Sequence, residues 1–174
     1  MSTAIIEGLR PAVDRMLSLA TGLAKDIPAD RFARFASGAD GAIVSNHPAF
    51  VCGHLSLYPA RVAGMLGLQL EVEAPAAWQE LFRPGAECVD DADGSIYGPR
   101  DELIGTFVSL HERLLTAAEG VDDQVFFAAT AEERYRARFP TTLTAVSFLL
   151  LAHPMFHLGQ LSAWRRAEGL GSIG

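Results

Sequence analysis

The sequence predicts an all-α fold, and more narrowly an antiparallel four-helix bundle with a long loop between its second and third helices. Apolar residues recur at spacings of three and four in several long stretches, which is the period of amphipathic helices. No stretch alternates apolar and polar residues with β-branched enrichment, so no strand is expected. A chain of 174 residues is long enough for one such domain, residues 1–174, with a sizeable core.

The first helix is predicted from about Thr3 to Lys25. One face carries its apolar residues at helical spacing: Ile6, Leu9, Val13, Met16, Leu17, Ala20 and Leu23. One or two helical turns are expected within Ala29–Ala36, and the glycines at 38 and 41 predict a flexible break.

The second helix is expected to begin near His47. Ser45 or Asn46 can cap it, and Pro48 suits the first turn because its missing N–H is harmless there. Pro59 lies inside this helix and removes a backbone hydrogen bond, which predicts a local kink.

A polar stripe runs along this otherwise apolar second helix. His47 and His54 are two turns apart and share a face to within about 20°. Tyr58 and Arg61 extend the same stripe.

The long loop is predicted from Glu71 to Arg100, with one ordered helical turn at Trp78–Phe82. Its aromatic residues Trp78, Phe82 and Tyr97 favour packing over a site. The acidic run from Asp90 to Gly94 does not match the EF-hand spacing, so a solvated loop is predicted there.

The third helix is predicted to open at Pro99, with Asp101 and Glu102 in its first turn, and to end at Gly120. A short charged crossover, Glu132–Arg138, then leads to the last helix.

The last helix, Pro140–Gly169, is apolar on nearly all sides and is therefore expected at the centre of the fold. His153, His157 and Gln160 fall on one of its faces. Pro154 stands between the two histidines and predicts a second kink. Imidazoles inside a core need a hydrogen bond or a metal ion as partner.

A pair of histidines at positions i and i+4 is how a helix presents two metal ligands, and His153 and His157 have this spacing. His54, in the middle of the helix expected to pack against the last one, is the predicted third ligand. Three neutral imidazoles form a ligand set of catalytic zinc, with a fourth position left for water or substrate. They also suit nickel, cobalt or ferrous iron. Pro154 occupies the position of the zincin glutamate, so a zincin protease is excluded.

The other candidate residues are assigned plainer roles. His47 is expected to cap its helix, and His111 is expected on an exposed helix surface. Cys52 points away from His54 along the helix and is predicted to be a core residue.

Composition limits the partners. A net charge of −7 disfavours nucleic acid and an anionic membrane surface. Two cysteines form no disulfide framework and favour the cytoplasm, and the N-terminus lacks the pattern of a secretion signal. The longest apolar block, starting at Ala145, is shorter than the roughly 20 residues of a membrane span. A small-molecule substrate is the remaining expectation.

Two segments resemble hallmark segments of the DinB/YfiT-like superfamily. They are GHLSLYPARV around His54 and AHPMFHLGQLSAWRRAEGL around His153 and His157. The resemblance implies a four-helix bundle in which these three histidines bind a divalent metal. From the ligand types, zinc or nickel is the expected metal. It also implies either a hydrolase or a thiol-dependent S-transferase or isomerase, the latter using a low-molecular-weight thiol. Pro154 departs from the more polar residue usual at that position.

Two classes of function remain open: a metal-dependent enzyme, and a non-enzymatic bundle that the metal stabilises and that acts through binding or dimerisation. An open coordination position favours the enzyme, whereas a fourth protein ligand, such as His47 or Glu87, favours the structural role. Tyr58, Arg61, Gln160 and Arg165 are candidate residues of the site wall without an assigned step. The apolar surface of the last helix also predicts a homodimer.

Overall fold

The computed structural model describes residues 4–173, except for the side chain of Arg134. Over these residues the chain is mostly helical, with one small two-stranded sheet. In chain order the elements are helix α1 (Ala4–Ala24), a 3₁₀ turn (Ala29–Arg31), strands β1 (Ala36–Gly38) and β2 (Gly41–Ile43), helices α2 (Pro48–Ser56), α3 (Tyr58–Met65), α4 (Trp78–Leu81), α5 (Arg100–Ala118), α6 (Asp123–Phe127), α7 (Glu133–Arg136) and α8 (Thr142–Ser147), a π-helical segment (Phe148–Ala152) and helix α9 (His153–Ala167).

Four long helical stretches surround the hydrophobic core: α1, α2 with α3, α5, and α8 with α9. Helix α2 packs against α5 and α9, and α1 packs against the same two helices. Apolar side chains from all four meet in one buried cluster. The predominantly helical fold is therefore confirmed, while the predicted start of the first helix at Thr3 lies outside the described residues.

The prediction that the chain has no strand is wrong. Strands β1 and β2 pair antiparallel, with Ala36 opposite Ile43 and Gly38 opposite Gly41. Each strand is only three residues long, too short for an alternating pattern to be recognised. Gly41 has a φ of 122°, which only glycine adopts readily. The expected flexible break is the turn of this hairpin.

The hairpin is attached to the end of α9. The Glu168 carboxylate accepts a hydrogen bond from the Ser37 amide at 2.7 Å and pairs with Arg31. The Trp164 indole N–H donates to the Arg34 carbonyl oxygen at 2.8 Å. These contacts hold the C-terminal end of α9 against the segment that precedes α2.

Both prolines predicted to disturb a helix do so. Helices α2 and α3 are separated at Leu57, two residues before Pro59, whose ring would collide with the carbonyl of the residue four positions earlier. Before Pro154 the helix widens into the π-helical segment, in which the His153 amide bonds to the Phe148 carbonyl, five residues back. The wider turn relieves the same collision.

The long loop packs against α2 through its aromatic residues. Trp78, Phe82 and Tyr97 are all buried, as the sequence predicted. The Phe82 ring lies directly over Gly53 of α2, where a Cβ atom would overlap the ring. Gly53 thus permits the closest approach of the loop to the helix that carries His54.

Asp91 corrects the prediction of a solvated acidic loop. Its side chain is buried, and its carboxylate accepts hydrogen bonds from the amides of Ser95, Ile96 and Tyr97 at 3.0–3.2 Å. The neighbouring Asp90 pairs with Arg34. The acidic residues therefore fold this loop by binding backbone amides and a cation.

His111 is also placed differently from the prediction. It lies on the inner face of α5, fully buried, and its Nδ1 is 2.8 Å from the Phe107 carbonyl oxygen. The charged neighbours Glu112 and Arg113 suggested a surface position, but they occupy other faces of the same helix.

The continuous helical stretch Thr142–Ala167 is long and apolar enough to cross a membrane, and 44% of its apolar window is buried. This contradicts the expectation that the apolar stretch is too short for a span. A core helix of a water-soluble protein meets the same two criteria, so the match is weak support for a span.

Candidate metal centre

The structure brings His54 of α2 together with His153 and His157 of α9. The Nε2 atom of His153 lies 3.4 Å from Nε2 of His54 and 3.1 Å from Nε2 of His157. One ring nitrogen from each histidine lies within 4.8 Å of the others. The three predicted ligands therefore form a group that could hold a metal ion.

The nitrogen spacing fits a tetrahedral metal site. Two ligands at the zinc–nitrogen bond length of 2.0–2.1 Å, separated by a tetrahedral angle, lie about 3.3 Å apart. Two of the three nitrogen separations, 3.4 and 3.1 Å, agree with that value, and the whole group lies within 4.8 Å. The arrangement around His153 is thus already close to what a metal requires.

The hydrogen bond of His54 directs its free nitrogen into the group. Its Nδ1 lies 2.8 Å from the Phe82 carbonyl oxygen. A carbonyl oxygen only accepts, so Nδ1 carries the proton and Nε2 carries the lone pair. The long loop therefore sets the tautomer of a ligand on α2.

His157 is oriented in the same way by a side chain of its own helix. Its Nδ1 lies 2.9 Å from Oε1 of Gln160. The same oxygen accepts a hydrogen bond at 3.0 Å from the side-chain amide of Asn46. This places the proton on Nδ1 and leaves the Nε2 lone pair for a ligand. Gln160 thus supports the site from behind His157, without contributing a ligand.

His153 stands between the other two and is held by packing. Its ring lies 4.4 Å from the Tyr58 ring and 5.8 Å from the Phe148 ring, centroid to centroid. Its Nδ1 is buried without a hydrogen-bond partner among the described residues. A proton on its Nε2 can serve the lone pair of His157 while the Tyr58 hydroxyl serves that of His54, whereas a cation would bind all three nitrogens at once.

Burial keeps the three imidazoles neutral. It lowers the pKa of His54 to about 4 and of His153 to about 3, and it lowers the pKa of His157 as well. The positive charge of Arg61 adds to the first two shifts. Because only neutral imidazole binds a metal, the group is in its binding form at neutral pH.

Tyr58 and Arg61 stand beside the histidines, as their place on the stripe predicted. The Tyr58 hydroxyl lies 3.2 Å from Nε2 of His54, and burial raises its pKa, so it is a protonated donor. The Arg61 guanidinium lies 5.3 Å from the centre of the Tyr58 ring and donates to the Tyr135 hydroxyl at 2.9 Å.

No fourth histidine, cysteine, aspartate or glutamate joins the group within the described part of the chain. Glu87 is exposed. His47 caps α2, as predicted: its Nδ1 accepts a hydrogen bond from the backbone N–H of Phe50. Its Nε2 lies 3.0 Å from the Val89 carbonyl oxygen. Neither candidate for a closing ligand is available.

Two further residues lie away from the metal centre. Cys52 is buried, as predicted for a core residue, and burial raises the pKa of its thiol to about 12. Arg165 was expected in the site wall, but it is fully buried at the other end of α9. There it pairs with Asp26 and donates to the Leu23 carbonyl oxygen at 2.7 Å. Its place in the last turn next to Arg166 gave no sign of this.

Sequence reasoning missed the parts of the site that come from the backbone and from distant loops. The Phe82 carbonyl and the Asn46 side chain have no sequence motif. Tyr135 lies in a charged crossover whose contact with Arg61 spans 74 residues. The aromatic character of the loop predicted that Phe82 packs over the site, and this was the only sequence signal for any of these three supporting groups.

Fold and site together define a mostly helical protein with a largely buried group of three histidines. Comparisons of the chain with protein-family models, with curated proteins and with solved structures gave no match.

Proposed function

We propose that the protein is a divalent-metal-dependent enzyme acting on a small molecule, with His54, His153 and His157 as the metal ligands. The carrying observation is that three neutral imidazoles converge, with Nε2 of His153 at metal-ligand spacing from the Nε2 atoms of the other two, and that no fourth histidine, cysteine, aspartate or glutamate joins them among the described residues. Structural zinc sites are usually closed by a fourth protein ligand, whereas catalytic sites keep one position open. The alternative, a metal that only stabilises the fold, lacks that closing ligand.

Zinc or nickel is the proposed metal, because imidazole nitrogen suits both. A divalent ion held by neutral ligands keeps its full charge, so it would lower the pKa of a water or thiol bound to it. The chain's own contribution is to hold the histidines in one tautomer and to present the Tyr58 hydroxyl as a hydrogen-bond donor beside them.

We further propose that the four long helical stretches form a four-helix bundle of the DinB/YfiT-like type. The contacts of α1 and α2 with both α5 and α9 support this, as does the origin of the ligands, one from the second helix and two from the last. On this proposal the reaction is hydrolysis or a thiol-dependent transfer or isomerisation, with a low-molecular-weight thiol as second cofactor in the latter case.

A homodimer in the cytoplasm completes the proposal. Met155 and Phe156 are 45% and 66% exposed on the outer face of α9, and a second copy would cover them. A monomeric mass by light scattering at micromolar concentration would rule the homodimer out.

The metal assignment is tested with protein purified without added metal. Elemental analysis should find close to one equivalent of a divalent metal in the unaltered protein and none above background in His157→Ala. The circular-dichroism spectrum of the variant should stay helical, because the core does not depend on the metal. Full metal occupancy in His157→Ala would remove the ligand assignment, and an apo protein unfolded at neutral pH would favour a structural metal.

The pH at which metal is released gives a second readout. Free histidine has a pKa of about 6.5, but the lowered pKa values of His54 and His153 delay proton competition. Because the pKa of His157 is lowered as well, metal should be retained below pH 6.5 and be released only at a more acidic pH.

A further inference from the structure

Arg61 is a half-buried cation without an acidic partner. Its guanidinium lies between the rings of Tyr58 and Tyr135, at 5.3 and 6.0 Å from their centres. Among the described residues no carboxylate forms an ion pair with it. A guanidinium has five N–H donors in a planar fork, and the hydrogen bond to the Tyr135 hydroxyl uses one of its nitrogens. The remaining donors suit an anion that comes from outside the chain.

A cleft lies beside the Arg61–Tyr135 contact and shares Phe148 with the packing around His153. It encloses about 600 Å³ and is lined by Tyr135, Arg138, Phe139, Phe148 and Leu149. Tyr135 belongs both to this lining and to the contact with Arg61, while Phe148 packs against His153. Helix α3, which carries Arg61, packs against α8 and the π-helical segment. The cleft is of a size that small ligands occupy.

The lining of the cleft is mostly aromatic and apolar, with Arg138 as its charged residue and Arg61 next to its Tyr135. The Phe139 and Phe148 rings lie 4.8 Å apart, centroid to centroid. Arg138 adds a second cation, and none of the lining residues is acidic, although the chain carries a net charge of −7. Such a combination selects a molecule with an apolar body and an anionic group.

We propose that the substrate is a small carboxylate with an apolar or aromatic body, and that Arg61 binds its carboxylate while the body lies in this cleft. A planar guanidinium matches a carboxylate with two parallel hydrogen bonds. The proposal rests on the proposed function, because it assigns the substrate class of the same metal centre.

The probe is 4-fluorobenzoate. Its binding to zinc-loaded and to zinc-free protein is measured by titration with fluorine NMR detection. Arg61→Gln should weaken its binding about tenfold or more, the loss expected for a charge-assisted hydrogen bond. Arg61→Lys, which keeps the charge but not the fork, should give an intermediate affinity. Arg166→Gln, a change at an exposed arginine in the last turn of α9, should leave binding unchanged.

The neutral analogue 4-fluorobenzyl alcohol should bind more weakly than 4-fluorobenzoate. Equal affinity of the two molecules, equal affinity of the unaltered protein and Arg61→Gln, or no binding of the benzoate at millimolar concentration would overturn the proposal. Elemental analysis of the zinc-loaded samples separates the two hypotheses: protein that retains no zinc after the loading step refutes the proposed function, whereas zinc-containing protein with an Arg61-independent affinity refutes only the substrate class.

Discussion

Gln160 sets the orientation of His157 without touching the position where a metal would lie. Replacing it by Leu removes the acceptor of the Nδ1 proton, so the ring can turn and its basicity falls. We expect about tenfold to hundredfold weaker zinc affinity, measured by competition with a chromophoric chelator.

Gln160→Glu retains an acceptor and should keep the affinity. Gln79→Leu, at an exposed position of α4, is the matched control and should also leave zinc binding unchanged. Zinc affinity that is unaltered in Gln160→Leu would show that the hydrogen bond does not tune the ligand.

Gly53 is where the long loop meets α2. A methyl group there would overlap the Phe82 ring, so Gly53→Ala must displace Phe82 together with the carbonyl that holds His54. We expect a loss of about 1–3 kcal/mol in the free energy of unfolding, measured with urea, and weaker zinc binding as well.

Gly105→Ala is the control for that substitution. Gly105 lies inside α5 with open space around it, so alanine should raise the stability by up to about 1 kcal/mol. If Gly53→Ala raised the free energy of unfolding as Gly105→Ala does, the close approach of Phe82 to Gly53 would not contribute to stability.

At the residue scale the sequence predicted the ligands but not their supports. His153 and His157 are recognisable because i, i+4 spacing aims two side chains to one side of a helix. The acceptor for His54 is a main-chain carbonyl at Phe82, and any residue carries such a group. Its position depends on how the loop folds, which the local sequence does not reveal.

At the element scale, Arg165 fixes the end of α9 to the end of α1. Its buried guanidinium donates to the Leu23 and Leu170 carbonyl oxygens and pairs with Asp26, and this pairing lowers the pKa of Asp26. Arg165→Met leaves these acceptors without a donor. We expect a loss of about 2–3 kcal/mol in the free energy of unfolding, measured by urea denaturation.

The neighbouring Arg166 is exposed, and Arg166→Met should change stability by no more than about 0.5 kcal/mol. The folded Arg165→Met protein should bind zinc normally, because the arginine lies away from the histidines. Impaired zinc binding in the folded variant would return Arg165 to the site wall.

Long periodic elements were predictable, whereas short and irregular ones were not. The apolar spacing in α1 and α5 fixes their length and inner faces, because many residues repeat one signal. The β1–β2 hairpin offers three residues per strand, and its stability comes from contacts with Glu168 and Trp164, far along the chain. Such elements depend on tertiary contacts more than on their own sequence.

At the scale of the whole molecule, buried neutral histidines make stability depend on pH. Burial lowers the pKa of His111 to about 4, below its value of about 6.5 in an unfolded chain. The unfolded state therefore takes up the proton first as the pH falls. Stability is complete above about pH 6.5 and is lost progressively down to about pH 4.

His111→Leu removes this titrating group while filling similar space. In metal-free protein, the loss of stability between pH 7 and pH 4 should be smaller than in the unaltered chain by up to about 3 kcal/mol. Urea unfolding at several pH values measures it. The same pH dependence in both proteins would mean that His111 does not titrate in the core.

The π-helical segment has a consequence for how this site can be lost. A π turn accommodates one more residue than an α turn, and each α-helical residue turns the chain by about 100° about the helix axis. Because the π turn spreads that extra residue over nearly the same rotation, deleting one residue between Phe148 and Ala152 would let regular α-helix form and would leave His153 and His157 facing His54. Inserting a further residue there, or forcing all five residues into regular α-helix, would instead rotate the ligand pair by about 100° and dismantle the centre with every ligand still in the sequence.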